Sequence, residues 1–351
     1  MIPYKELEKY AQEHPEFDLS SVAVLSDDEY FDEFSYATEH VSNDAVISVL
    51  NKTIKLLRVV NECGISGNWN DCIKWCKERL KEVWLERGPF PGLGSMLSAV
   101  GFKHGNLIAR EAKKQIKNIS TFENEIYEIF RNPKDIFSKK IAKDVTQTLC
   151  DTFLNLDSEK KSLFWLLARI NLSEEQAKVL FNKKSGTAYK IELSDKEIIE
   201  NPYVLYEKTR ICKQSFQISV NKIDTAIFPN SIIADENPVP EPSFLDSPDD
   251  KRRIRALAVN VLEIQAQNGH TVYPQTKLAE DICNLPFDED KQCEITSDVL
   301  NNLKNFFSEE IVCIDCDDNT IAYQLCRLNK IDEFIRSQIT QRLENERFEI
   351  K

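Results

Sequence analysis

The chain has 351 residues, 42% of them hydrophobic, which is enough for two or three domains that each bury a core. A formal net charge of −13 excludes a uniformly basic nucleic-acid-binding protein, and no run of about 18 apolar residues predicts a membrane span. The N-terminus lacks the features of a signal peptide, so we expect a cytoplasmic protein whose ten cysteines are free thiols.

Charge is distributed unevenly along the sequence. Residues 1–34 carry ten acidic residues against Lys5 and Lys9. We expect residues 1–41 to be an acidic N-terminal arm, which is either loosely packed, the favoured interpretation, or docked on a basic surface. Residues 101–150, in contrast, carry ten lysines and arginines against six acidic residues. Because salt screens electrostatic fields beyond about 10 Å, this basic stretch can attract an anionic partner despite the acidic total.

The helical pattern begins at Ser42, a predicted N-cap, and we assign residues 42–228 to one helical domain. Gly64 and Gly67 end the first helix of this domain, and Asn68 begins the second. Helical periodicity then continues over residues 107–118, 122–130 and 133–156. The domain therefore reads as a series of helical hairpins.

A glycine-rich turn lies between the second helix and the basic stretch. Pro91-Gly92-Leu93-Gly94 precedes a helical pattern, and such a turn exposes backbone N–H groups that can bind a phosphate. The Lys-Ser/Thr of a nucleotide P-loop is missing, which leaves two interpretations: a helix-hairpin-helix that holds one DNA phosphate, or a helix–helix turn without a ligand. The candidate phosphate-binding residues are Gly92, Leu93, Gly94, Ser95 and Met96.

Lysines near this turn are candidates for sequence-independent attraction to DNA. A second helical hairpin, without glycine, is predicted where the helix over residues 163–170 meets a helix that Ser173 and Gln176 begin with a capping box. The candidate lysines of both hairpins are Lys103, Lys113, Lys114, Lys117 and Lys178.

Residues 229–250 contain five prolines and many acidic residues, and they predict a linker. Residues 251–327 then follow the order of a winged helix, which is three helices and a β-hairpin. The predicted helices and strands of this domain are residues 251–267, about 274–285, 297–307, 310–314 and 320–325, with a turn at 316–319. Winged helices bind DNA in some proteins and protein in others. The third helix carries a single cation, Lys304, which favours a structural or protein-docking role over reading of a DNA groove.

Arginines crowd the first turns of the helix that begins at Lys251, where the helix dipole disfavours cations. Either nearby aspartates neutralise Arg252, Arg253 and Arg255, or these side chains bind an anionic partner such as DNA. The sequence leaves both interpretations open. A polar helix over residues 332–346, within a C-terminal segment of residues 328–351, ends the chain.

The sequence holds no catalytic motif and no strong metal motif. The four histidines are scattered, and the Cys-x-x-Cys at Cys313 and Cys316 lacks a thioredoxin-like context. We therefore predict a mainly α, non-catalytic binding protein without catalytic or metal-binding residues of its own. Its expected architecture is a helical bundle with helix-hairpin-helix units, followed by a winged-helix-like domain with a small β-hairpin.

Three motifs, in this order, resemble the region that precedes the motor in bacterial RecD-like DNA helicases, which are similar to the exonuclease V alpha subunit. The first is the glycine turn within Arg87-Gly-Pro-Phe-Pro-Gly-Leu-Gly94. The second runs from Leu172-Ser-Glu-Glu-Gln-Ala177 to Asn201-Pro-Tyr-Val-Leu205, and the third from Arg252-Arg-Ile-Arg-Ala256 to Gly269-His-Thr-Val-Tyr-Pro274. The resemblance covers residues 84–335.

The resemblance implies a DNA-binding accessory region of an ATP-dependent helicase used in DNA repair. ATP and magnesium belong to a motor that begins about where this chain ends at Lys351, so no cofactor is expected within it. The implied partners are single-stranded or junction DNA and a helicase motor, in cis or in trans. The family's Gly-Ile-Gly-Phe hairpin after Asn-Pro-Tyr is absent here. The alternative is a protein-interaction module that docks on a helicase or a phage-defence partner.

Overall fold

The computed structural model describes residues 3–23, 30, 41–183, 191–285, 287, 291–316 and 320–344. The chain divides into two compact units, residues 1–245 with 286–288 and residues 246–285 with 289–351. Helices dominate, and one small antiparallel sheet lies in the second unit, so the predicted mainly α class is confirmed. None of the described helices is long and apolar enough to cross a membrane.

The first unit is helical throughout its described part. Its helices are α1 (Tyr4–Glu13), α2 (Asn43–Glu62), α3 (Trp69–Arg87), α4 (Leu93–Val100), α5 (Gly105–Lys113), α6 (Phe122–Arg131), α7 (Gln147–Leu154), α8 (Ser158–Arg169), α9 (Glu174–Asn182), α10 (Asp195–Glu200), α11 (Val204–Thr209), α12 (Val220–Ile227) and α13 (Ser231–Ala234).

The acidic N-terminal segment is packed rather than loose over its described part. Leu7 on α1 is fully buried, and Val22 lies beside it against Leu56 and Val60 of α2. Burial of these apolar side chains gives α1 a defined place on α2, so the expectation of a loosely packed arm is wrong for residues 3–23. Residues 24–29 and 31–40 lie outside the described part of the chain.

Side-chain caps begin the helices where the sequence predicts them. The Ser42 hydroxyl accepts a hydrogen bond from the N–H of Ala45, and Ser173 with Gln176 forms the predicted capping box of α9. Each cap satisfies an N–H group that the first helical turn leaves without an intrahelical partner. Local polar signals thus set where α2 and α9 begin.

Besides the contacts between α1 and α2, two further hydrophobic clusters stabilise the described part of the first unit. The α2–α3 cluster contains Ile54, Leu57, Leu80 and Trp84. The second is a chain of aromatic rings with centroids 4.9 to 6.1 Å apart, which joins α6 to α9 through successive contacts. Its rings are Phe90, Phe102, Phe122, Tyr127, Phe130, Phe137, Phe153, Phe164, Trp165 and Phe181.

The continuous helix predicted over residues 133–156 is wrong. Residues 133–135 form a single 3-10 turn, residues 136–146 form turns, and α7 begins at Gln147. Phe137, Ile141 and Val145 are buried at a spacing of four residues, which has the period of a helix although the chain here is irregular. Periodic burial therefore misled the helix prediction.

The predicted linker over residues 229–250 is built into the first unit for most of its length. Val239 and Leu245 are buried, and the Asn237 side chain donates a hydrogen bond to the carbonyl of Ile119. The Ser243 hydroxyl donates to the carbonyl of Ile199 at 2.6 Å. The division between the two units falls after Leu245, near the C-terminal end of the predicted linker.

The second unit contains four helices and three strands in its described part. They are α14 (Lys251–Gln267), β1 (Tyr273–Pro274), α15 (Gln275–Cys283), α16 (Ser297–Phe307), β2 (Ile311–Asp315), β3 (Ile321–Leu325) and α17 (Cys326–Glu344). The sheet order is β1-β3-β2, and both pairings are antiparallel. The predicted helices and the β2–β3 pair are confirmed, whereas residues 317–319 of their turn lie outside the described residues.

Tyr323 on β3 occupies the centre of this sheet. It lies opposite Tyr273 of β1 and Cys313 of β2, and it is fully buried. The short strand β1 follows Gly269, whose φ of +93° suits the residue that ends α14. The C-terminal helix α17 begins six residues earlier than predicted, and residues 345–351 lie outside the described part of the chain.

Candidate nucleic-acid interface

The glycine turn lies inside the first unit rather than on its surface. Gly92, Leu93, Gly94, Ser95 and Met96 are all buried. The N–H of Gly92 donates to the carbonyl of Ala168 at 2.9 Å, and the N–H of Met96 donates to the carbonyl of Gly92 at 3.0 Å. The expectation that this turn presents outward-facing N–H groups to a phosphate is therefore wrong.

The glycines of this turn permit close contact between chain segments. A Cβ atom on Gly94 would lie 2.6 Å from the Cα of Asn106, and a Cβ on Gly105 would lie 2.7 Å from the backbone N of Ser98. A Cβ on Gly92 would collide with the carbonyl oxygen of Ile170. Separations under 3 Å leave no room for any side chain, so these positions require glycine for packing.

The two predicted hairpins meet at this turn. The Ser95 hydroxyl donates to the carbonyl of Leu172 at 2.7 Å, and Leu172 belongs to the connection between α8 and α9. Together with the bond from Gly92 to Ala168, this contact fixes the N-terminus of α4 against the second hairpin. The sequence predicted each hairpin separately and gave no signal that they touch.

The predicted DNA-binding lysines have different environments. Lys103, Lys114, Lys117 and Lys178 are exposed and available to a partner. Lys113 is half-buried at the end of α5, where burial and the nearby Arg87 guanidinium lower its pKa to about 8. Four of the five predicted lysines are thus exposed, and the fifth is partly buried.

Exposed positions on α5 follow the spacing of one helical face. Leu107 and Arg110 are three residues apart on α5, Lys114 directly follows its last residue, and all three are exposed; Lys103 is exposed two residues before α5 begins. Glu111 lies between them and accepts two hydrogen bonds from Ser138, one from its backbone N–H and one from its hydroxyl, each at 2.9 Å. This acidic side chain is therefore occupied by the protein itself.

The segment of residues 136–146 runs beside α5. Ser138 binds Glu111 in the second half of α5, and Asp144 lies 2.9 Å from His104 at the start of α5. These two contacts place the segment along the helix in the opposite direction. Three exposed lysines lie between Ser138 and Asp144 in this segment: Lys139, Lys140 and Lys143.

We call the six exposed cations of α5 and this segment the basic face. Its members are Lys103, Arg110, Lys114, Lys139, Lys140 and Lys143. The acidic residues Glu111 and Asp144 lie in the same two segments, and both have protein partners. The sequence did not indicate this surface, because the continuous helix predicted over residues 133–156 would carry these lysines away from α5.

A groove of about 430 Å³ lies at the turn between α4 and α5. Lys103, His104 and Lys178 line it, so the structure brings Lys178 of the second hairpin close to the α4–α5 turn. Glu174 lies between them and contacts Ser98 at 3.2 Å and Lys178 at 3.5 Å. This carboxylate offsets part of the positive charge, which makes the groove weaker for an anion than the basic face.

Arg253 and Arg255 of the second unit are structural, which corrects their prediction as DNA contacts. Arg253 is fully buried and donates to the carbonyl of Pro248 at 2.8 Å and to Cys293 Sγ at 2.9 Å. Arg255 is 3% exposed and donates to Glu309 Oε2 at 3.1 Å. Buried guanidinium groups with protein partners are not accessible to a DNA phosphate.

Arg252 is half-buried and forms two hydrogen bonds to Asp250, at 2.9 and 2.8 Å. This bidentate pair neutralises the arginine beside the N-terminus of α14, where an unpaired cation would be unfavourable. Of the two interpretations that the sequence left open for these arginines, neutralisation within the chain fits the contacts. The α14 arginines are therefore not part of the candidate interface.

The cysteines and histidines of the described residues show no metal-binding arrangement. No group of three or more histidine, cysteine or acidic side chains within these residues could hold a metal ion. All ten cysteines are free, as predicted. Comparison of the chain with protein-family models, with curated proteins and with solved structures finds no match.

Proposed function

We propose that this chain is a DNA-binding accessory region, similar to the segment that precedes the motor of RecD-like helicases, and that its basic face contacts the DNA backbone. The observation that carries the proposal is the return of residues 136–146 along α5, which brings a segment with three exposed lysines alongside a stretch of chain, residues 103–114, with three more exposed cations. Lysine and arginine side chains attract phosphates without reading bases, so binding is expected to be independent of sequence.

The architecture supports this proposal in two further respects. The connection between α8 and α9 is short and capped, as a helix-hairpin-helix requires, and the α4–α5 turn packs next to it. The second unit follows the order helix, strand, helix, helix, strand, strand, which is the order of a winged helix. In this proposal the glycine turn positions the hairpins, and the exposed lysines hold the phosphates.

The second candidate function is docking on another protein, and α17 carries the observation in its favour. Ile331, Phe334, Ile335 and Ile339 on this helix are each at least 50% exposed. The third helix of the second unit, α16, holds Lys304 as its one cation, which makes it a poor reader of a DNA groove. The second unit therefore suits a contact with a helicase motor better than one with DNA.

The salt dependence of DNA binding tests the proposal. Fluorescence anisotropy with single-stranded and duplex oligonucleotides at about 50 and 200 mM salt is expected to show binding that weakens with a log–log slope of about −3 to −5. That slope corresponds to engagement of most of the six cations of the basic face. Absence of binding at low salt would reject DNA binding and leave the docking function.

A further inference from the structure

A second polar site lies in the first unit, and none of its residues is a member of the basic face. It is a cavity of about 220 Å³ between the first turn of α2, the last turn of α3 and the end of α5. Since a water molecule takes about 30 Å³ in the liquid, this volume has room for a group of several non-hydrogen atoms. The lining side chains that matter are Asn43, Asp44, Glu86, Arg87, Lys113 and Asn171.

A buried ion pair forms one wall of the cavity. The Arg87 Nε donates to Asp44 Oδ1, and the two side chains are 1% and 3% exposed. Arg87 also donates to the carbonyl of Arg169 at 3.3 Å, and its guanidinium lies 5.3 Å from the centre of the Trp84 ring. These contacts hold Arg87 in one orientation, so its positive charge is fixed at the wall.

Lys113 adds a second positive charge, and the Glu86 carboxylate lines the same cavity without an ion pair to it. No hydrogen bond or ion pair of its ammonium group is formed with any residue in the described part of the chain. Burial first, and then the Arg87 charge, lower its pKa to about 8. A desolvated ammonium group beside a buried guanidinium is unfavourable unless an anion lies near both.

Asp44 provides the complementary feature. Its Oδ2 is buried and accepts no hydrogen bond from any described residue, although the other carboxylate oxygen is paired. A buried carboxylate oxygen without a donor costs free energy, so a donor at this position would be stabilising. The wall therefore lacks both an acceptor for Lys113 and a donor for Asp44.

We propose that this cavity binds a protonated phosphate group. Its oxygens would accept from Lys113 and from the side-chain amides of Asn43 and Asn171, and its hydroxyl groups would donate to the two carboxylates of the lining, Asp44 and Glu86. A proton-free oxyanion such as sulfate satisfies Lys113 but is repelled by the Asp44 carboxylate. The site goes beyond the proposed backbone contact and does not depend on it, because neither Asp44 nor Arg87 belongs to the basic face.

Isothermal titration calorimetry of the full chain with inorganic phosphate at about pH 6 tests the site, with sodium sulfate as the matched anion. Phosphate is expected to bind about tenfold more tightly than sulfate, a difference of about 1.4 kcal/mol. Thymidine 5′-monophosphate is titrated as a third ligand. Tighter binding of the nucleotide identifies a phosphate monoester as the ligand, and tighter binding of inorganic phosphate identifies the free ion.

Two lysine variants separate this cavity from general surface charge. Lys113→Met is expected to weaken phosphate binding about tenfold, whereas Lys77→Met, at an exposed position of α3 outside both the cavity and the basic face, leaves it unchanged. No phosphate binding by the wild-type chain, equal affinity for sulfate, or equal losses in the two variants would overturn the proposal. Absence of duplex binding by the wild-type chain, together with intact phosphate binding, would reject the proposed function and leave this site intact.

Discussion

The backbone N–H of Gly92 donates a hydrogen bond to the carbonyl oxygen of Ala168 at 2.9 Å. This bond joins a glycine turn to the last turn of a helix more than seventy residues later in the chain. It converts two helical hairpins into one packed body and withdraws the turn from solvent. Both proposals therefore assign anion binding to other residues, on the surface of α5 and in the cavity at the end of α5.

Gly94→Ala is expected to destabilise the first unit. The added Cβ would lie 2.6 Å from the Cα of Asn106, and relief of that overlap by movement of α5 costs about 2 kcal/mol. Urea unfolding followed by circular dichroism measures the change. Gly64→Ala is the control, because it meets no neighbouring atom and costs only the strain of its positive φ, about 1 kcal/mol. A Gly94 variant as stable as the wild type would contradict the close packing.

Asp44→Ala is expected to cost about 3 to 5 kcal/mol of unfolding free energy, because it leaves the Arg87 guanidinium buried without its carboxylate. Adding Arg87→Met to this variant removes the orphaned charge and is expected to recover part of the loss. A double-mutant cycle of chemical unfolding measures the coupling. Strictly additive effects of the two substitutions would show that the pair contributes no interaction of its own.

Lys113→Met is expected to raise the stability of the unliganded chain at pH 7 by about 1 kcal/mol, a value reduced for the partial exposure of this side chain. The folded pKa of Lys113, about 8, lies below the ordinary lysine pKa of 10.5, so the folded state binds fewer protons between these pH values. Wild-type stability should therefore rise with pH from about 8 to 10.5, relative to the variant. A constant difference between the two across this range would contradict the lowered pKa.

Arg255→Ala is expected to cost about 2 to 3 kcal/mol, since it removes a buried hydrogen-bonded side chain and its contact with the Phe306 ring, 4.5 Å away. Arg252→Ala removes a half-buried pair with Asp250 and is expected to cost about 1 kcal/mol. Thermal and urea unfolding of the two variants measures the loss of unfolding free energy in each. DNA affinity should be unchanged in both variants under conditions where they are folded, and a selective loss of affinity would restore these arginines as contacts.

The sequence predicted the features that depend on neighbouring residues. The caps at Ser42 and Ser173, the break after Gly64 and the β2–β3 pair follow from local polar groups, glycine and β-branched residues. These signals act within a few residues, so no tertiary information is needed to read them.

The errors arose where tertiary contacts decide the structure. The helical spacing of Phe137, Ile141 and Val145 comes from burial of three turns against a helix bundle, not from a helix. The prolines of residues 229–250 resembled a linker, yet Arg169 donates to the carbonyls of Asn237 and Pro238 at 2.9 Å and holds that segment in place. Such long-range partners leave no periodic trace in the sequence.

The candidate site was predicted in part. Positive charge near the glycine turn pointed to the stretch of chain that contains the basic face, but the packing of α4 against the second hairpin buries the turn itself. The contact between Ser138 and Glu111, which gathers Lys139 and Lys140 beside α5, depends on an irregular segment whose path the sequence does not encode locally.

The most direct test of the basic face compares two triple variants that change net charge equally. One variant replaces Lys139, Lys140 and Lys143 by glutamate. The other replaces three exposed lysines of α3 by glutamate, namely Lys74, Lys77 and Lys81. Duplex and single-stranded DNA affinity is measured by fluorescence anisotropy at about 50 mM salt, with circular dichroism to confirm folding. We predict a loss of at least about tenfold for the first variant and less than about threefold for the second. Equal losses would contradict a contact at the basic face.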